Sequence, residues 1–275
     1  MSMFAKGGLA ESSLTSFSRC IIANCIIFDV VGTTLSPSAP ATIEDSNIHE
    51  KQWLSLLKDA EGNHCSSLPA VILHVLHRGA LVRQRVARLD SSSAATTVQQ
   101  DEASCLLQIA RSFDARQWAT DVQSRSPAAD LQARFDVASA HRGAVCIYIS
   151  RICLQLGLLR EVVSPLEDLV TEVIAHLSNI STESPLFVAT TWPSFIAGAE
   201  TNDSAKHVWI RERFQQIQAR EPWGVIGNAA GLLEKIWQKR SVGLRQTAQE
   251  TSASVYPYND WLDLVSEDAN EWLIL

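Results

Sequence analysis

Apolar residues recur every three to four positions along most of this chain, and that spacing predicts helices. Between Leu68 and Leu89, the apolar and small positions Ile72, Val75, Gly79, Val82, Val86 and Leu89 alternate steps of three and four, which places them in one buried stripe. After Pro127 the pattern lengthens. Leu131, Phe135, Ala138, Val145, Ile149, Ile152, Leu156 and Leu159 keep helical intervals over many turns and predict a central core helix. Ser164, Pro165 and Glu167 then combine an N-cap, a proline at the first helical position and an acidic partner three residues after the cap, a capping box. Leu166, Leu169, Val170, Val173, Ile174 and Leu177 supply the stripe of that helix. Trp192-Pro193 falls in the apolar run after Ser184, where a proline starts, kinks or breaks a helix. Ile210, Phe214 and Ile217 mark a further helix, Ala229, Leu232, Leu233, Ile236 and Trp237 another, and a short one runs from about Asn259 to Trp272.

Other segments are less decided. The run from Cys20 to Val31 is β-branched enough for a strand, yet Ile21, Cys25 and Phe28 keep helical spacing, and so short a run leaves both readings open. Residues 1–19, rich in Ser and Gly, read as a disordered lead-in, and 37–47 read as an irregular loop. About 90–101 the periodicity disappears, which predicts a flexible segment that interrupts one fold, since neither flank repeats the other. No regular strand and helix alternation occurs. The expectation is one all-α, multi-helix domain over 20–275 with irregular loops.

Composition narrows the function classes. The chain has 275 residues, 46% hydrophobic and 19% charged, enough for a sizeable core. Its 23 Lys plus Arg against 30 Asp plus Glu give a net charge of -7, so a nucleic-acid backbone has no overall electrostatic reason to bind it. Cys20, Cys25, Cys65, Cys105, Cys146 and Cys153 are scattered and no secretory pattern opens the chain, which reads as reduced thiols in an intracellular protein. No run approaches the ~18 consecutive apolar residues of a membrane span. The glycosylation-type triplets at Asn179 and Asn202 read as chance occurrences.

Three constellations could carry chemistry. Residues 26–35, IIFDVVGTTL, look like the first motif of the haloacid dehalogenase superfamily, in which Asp29 would be the nucleophile of a hydrolase. Val31 stands where the phosphatases of that superfamily carry a second carboxylate, and the alternating framework, the downstream lysine and the late acidic pair are not recognisable, so no catalytic residue is assigned. His74 and His77 lie three apart after His64 and Cys65, but no C-x-x-C or H-E-x-x-H completes a zinc site, and no metal or cofactor is expected. Finally Trp192, Trp209, Trp223, Trp237, Trp261 and Trp272 crowd the last third beside Phe195 and Phe214. They read mainly as core, while Trp192, Phe195, Trp209 and Trp237 are the candidates to line a ligand pocket. Arg78, Arg83, Arg85 and Arg88 share one predicted helix and read as a solvated face, with a basic partner-binding face as the competing reading.

The order of the C-terminal motifs resembles a known family. Trp192-Pro193-Ser194-Phe195-Ile196-Ala197-Gly198-Ala199-Glu200, then Trp209-Ile210-Arg211-Glu212-Arg213-Phe214, Gly227-Asn228 and Leu233-Glu234-Lys235-Ile236-Trp237 with Lys239-Arg240 succeed one another, and Trp261 and Glu271-Trp272-Leu273-Ile274-Leu275 close the series. Together they resemble the fungal-specific transcription factor domain of the acriflavine-sensitivity-control type. FDVVGTTLSPSAP and RGAVCIYISRICL look like an early segment and the central helix of that family. The resemblance runs from about Cys20 to Leu275. None of the cysteines has the spacing of the family's binuclear zinc cluster, so its DNA-contacting residues transfer to no position here.

The resemblance implies the helical regulatory domain of a fungal transcription regulator, acting in the nucleus or in cytoplasm and nucleus, and controlling a metabolic or secondary-metabolite gene set. It implies protein partners in the transcription machinery or a zinc-cluster homologue, no direct nucleic-acid contact through this chain and no membrane. Some members are similar to sterol-sensing regulators, which makes an apolar small-molecule sensor the alternative reading.

Overall fold

The computed structural model describes residues 15–35, 50–62, 68–87, 97–128, 130–158, 163–247 and 260–267. Among them are eleven α-helices, one 3-10 turn and no strand, so the fold is all-α, as the periodicity predicts.

The undecided N-terminal run is helical. Helix α1 spans Ser16–Thr33, capped by Thr15, whose hydroxyl accepts the Ser18 N–H at 3.2 Å. Its first turn, Ser16 to Arg19, belongs with the helix rather than with the lead-in, of which 1–14 lie outside the described residues, as does the 37–47 loop. Ala23, Ile26, Ile27, Val30 and Val31 form its buried face. By length and mean hydropathy, 1.4, α1 matches a membrane span, and a third of it is buried in the bundle. Thr34 Oγ1 donates back to the Val31 carbonyl at 2.6 Å and finishes the helix.

Helices α2 (Glu50–Ala60) and α3 (Ala70–Ala87) pack with α1. Helix α3 is buried beyond its predicted stripe, because Leu73, Leu76 and Leu81 also meet neighbours. Helix α4 (Thr97–Ser112) takes up the last five residues of the predicted flexible segment, while 90–96 lie outside the described residues. Helix α5 (Ala115–Arg125) starts at Asp114, whose carboxylate accepts the Gln117 N–H at 2.9 Å.

The expected central helix, α6, runs Leu131–Gln155. Eighteen of its 25 residues are buried, which makes it an axis enclosed on nearly every side rather than an amphipathic surface helix. Helices α3, α4 and α5 pack on it, as do α7 (Val163–Ser178) and α8 (Thr191–Glu200). The predicted cap Ser164 falls inside α7, and Glu167 turns its carboxylate to Thr201 Oγ1, 2.8 Å away, and to Lys206 Nζ. Helix α8 follows a 3-10 turn, Val188–Thr190, and holds Pro193 in its first turn, where no intrahelical donor is needed. All ten of its residues are buried. It is a second hub, touching α6, α7, α9 (Ser204–Arg220) and α10 (Gly224–Thr247). The last described helix, α11, spans Trp261–Glu267, shorter than the expected 259–272. Residues 268–275 lie outside the described residues.

Four buried arginines tie this bundle together through helix C-termini, where the last carbonyls have no intrahelical partner and the helix dipole favours a cation. Arg83 donates to the Thr34 carbonyl at the end of α1, at 2.7 Å, and to Leu262 O in α11, at 2.6 Å. Arg134 reaches Glu61 O (3.1 Å) and Gly62 O (3.2 Å) just beyond α2, with Asp130 as its ion partner. Arg213 meets Leu177 O at 2.7 Å and Ile180 O at 3.3 Å below α7, and Arg240 meets Glu200 O at 3.3 Å at the end of α8. Burial lowers the Arg213 guanidinium to about 10, still charged at neutral pH. Of the arginines read as a solvated face on α3, Arg83 departs from that reading. Arg83 is buried, Arg78 and Arg85 both pair with Glu102, and Arg88 lies outside the described residues.

Candidate functional site

The four aromatic residues proposed as a pocket meet different partners. Trp192 stacks on His141, centroids 5.9 Å apart, and donates its indole N–H to Thr34 Oγ1 at 3.3 Å. Phe195 packs against Trp261 in an edge-to-face pair at 6.3 Å. Trp209 is half-buried with the Arg213 guanidinium 5.7 Å from its ring. Trp237 stacks on His207 at 4.0 Å and donates to Gly198 O at 2.8 Å. Of the four, Trp237 alone lines the cleft described next.

That cleft lies between α9 and α10 and measures about 540 Å³. Its apolar wall comes from Ile210, Phe214, Ile226, Leu233 and Trp237, all buried. The Arg211–Glu234 ion pair lines it as well, with Arg211 Nη2 donating to Glu234 Oε2 at 2.9 Å and its guanidinium 4.8 Å from the Trp237 ring. That bond raises the Arg211 pKa and lowers that of Glu234, so both stay ionised at neutral pH. Two further features stand out. Gln218 Oε1 is buried with no hydrogen-bond partner among the described residues. Gly227 and Gly231, four apart in the interior of α10, also line the cleft: a side chain at 231 would meet nothing within 4 Å, and one at 227 only Gln218 Oε1, 3.6 Å away. Each interior glycine costs a helix about 0.5–1 kcal/mol against alanine, and no contact among the described residues demands it here.

Asp29, His74 and His77 all lie in helices. Asp29 lies within α1, not at a strand end, and its carbonyl accepts the Thr33 hydroxyl at 2.9 Å. His74 and His77 flank the Trp53 ring, centroids 5.6 and 5.4 Å away, while His64 and Cys65 lie outside the described residues. No three metal-binding side chains gather among the described residues. Cys25, Cys105, Cys146 and Cys153 are unbridged thiols among the described residues, and burial pushes the pKa of Cys146 and Cys153 up to about 11.

Comparison with known proteins places this architecture. The fungal specific transcription factor domain family matches residues 2–274. The chain belongs to that family. The fungal-specific transcription factor domain seen here is also 30% identical over 243 residues to the acriflavine sensitivity control protein acr-2 of Neurospora crassa, covering 86% of this chain and 40% of the relative. The domain thus spans well under half the length of that curated relative. No solved structure matches it. The family is one of transcription factor domains, not of enzymes, in keeping with the helical setting of Asp29.

Proposed function

We propose that this chain is the regulatory module of a fungal transcription regulator, acting in the nucleus through protein partners on a metabolic or secondary-metabolite gene set. The observation that carries the reading is the family match across residues 2–274, supported by the likeness to an acriflavine sensitivity control protein. Its chemistry agrees. The net charge of -7 gives no electrostatic drive toward phosphate, and the buried arginines are spent on helix ends. Control therefore passes through protein surfaces, with DNA contact supplied by another segment or another chain.

Tethering tests this. The full chain fused to an unrelated DNA-binding domain is expected to raise or lower transcription of a reporter carrying the matching operator in a fungal host, relative to the DNA-binding domain alone. Unchanged output from both a weak and a strong basal promoter would overturn the reading.

A further inference from the structure

We propose that the cleft between α9 and α10 is a binding site for a small, neutral, mostly apolar molecule carrying one hydrogen-bond donor. Three independent observations converge on it. Its volume of about 540 Å³ falls within the range of small-molecule sites, roughly 300–1,000 Å³, and its wall is mainly apolar. Gln218 Oε1 is a shielded acceptor with no donor beside it among the described residues, an arrangement that a bound donor completes. Gly227 and Gly231 remove side chains from the α10 face of the cleft although the described residues leave room for them, so the space they keep open is available to another molecule.

The charges define the ligand further. Arg211 and Glu234 satisfy each other, so neither presents an unpaired charge to a ligand ion, and a neutral molecule fits better than an anion or a cation. The aromatic and aliphatic body rests against Phe214, Leu233 and Trp237, and the donor points to Gln218. This site goes beyond the regulatory reading and does not depend on it, because binding is measured on the purified chain without any transcriptional readout.

The test uses two probes that differ by one proton donor, 2-naphthol and 2-methoxynaphthalene, titrated calorimetrically into the full chain. Naphthol is expected to bind at one site roughly tenfold more tightly than its methyl ether, the discrimination one net hydrogen bond supplies. Gly231→Leu fills the cleft with a better helix former and is expected to abolish both, with an unchanged or raised melting temperature. Gln218→Leu is expected to bring naphthol down to the affinity of the ether. Failure of the wild-type chain to bind either probe, equal affinity for the two, or full binding by Gly231→Leu would each overturn the assignment.

Discussion

Arg151 and Glu200 meet through two parallel hydrogen bonds, Nε to Oε2 at 2.7 Å and Nη2 to Oε1 at 2.5 Å, while Oε2 also accepts the Trp261 indole N–H at 3.0 Å. The pair joins α6, α8 and α11 in the buried interior. Removing one member of such a pair leaves a buried charge without its counter-ion. Glu200→Ala is expected to lower unfolding free energy by about 3 kcal/mol, read from urea denaturation. Arg151→Met with Glu200→Leu together should cost less than the two single changes summed, and strict additivity would show the pair is not coupled.

Two glycines rank opposite to their distances. A Cβ at Gly79 would come within 2.1 Å of Ile149 Cδ1, and one at Gly143 within 2.6 Å of Val173 Cγ2. Ile149 offers the far end of a flexible side chain, whereas valine is stiff at χ1 and its methyl cannot swing aside. Gly143→Ala is therefore expected to destabilise by about 1–3 kcal/mol, more than Gly79→Ala. Val173→Ala should recover part of that loss in thermal melts.

Gly231→Ala runs the other way. With nothing within 4 Å of the added methyl group, it should stabilise the chain by about 0.5–1 kcal/mol. A fall in melting temperature would mean that the position meets something the fold does not display.

Acid sensitivity follows from His141. Its ring is buried, bonds Ala189 O at 2.8 Å, and has a pKa lowered by burial to about 4 against the usual 6.5. A lowered folded pKa means that the unfolded chain binds the proton more readily, so this contribution is complete above pH 6.5 and is lost as pH falls toward 4. The span corresponds to about 3 kcal/mol. Burial raises the pKa of Asp260, which pulls in the opposite sense, so the comparison needs His141→Gln. The wild-type minus variant difference in stability should shrink across that window, and a flat difference would contradict it.

Thiol reactivity should divide the cysteines. Cys25 and Cys105 are exposed, whereas Cys146 and Cys153 are buried with pKa values of about 11. Iodoacetamide at mildly alkaline pH should label the first two and leave the second two until the chain unfolds, as read by peptide mass mapping.

Periodicity revealed the helices that have one clear apolar rhythm, and α6, α7, α9 and α10 lie where their stripes predict. It missed α4, whose start lies in the segment read as flexible, and α2 and α5, which are eleven residues each and carry only one short apolar repeat. The signals were there in Trp53, Leu56, Leu57 and Ala60, and in Asp114 ahead of Trp118 and Val122. Arginines misled because a sequence shows their charge but not which distant helix ends beside them. The tryptophans read mainly as core, and Trp192, Trp237 and Trp261 are buried; their crowding between 192 and 272 is visible, while the partner each ring meets depends on how α8, α9 and α10 cross. The cleft left a fainter mark, two glycines four apart inside an otherwise strong helix beside Leu233 and Trp237.

Arg83 joins residues that lie 49 and 179 positions away, one near the start of the described chain and one near its end. A single side chain therefore acts as a clasp between the two extremities. Fragments that stop short of Leu262 leave the clasp open and also strip Glu200 of its indole donor, so the bundle has no natural cut point for expression in halves. Loosening either extremity is felt through Arg83 near the C-terminal end of α3.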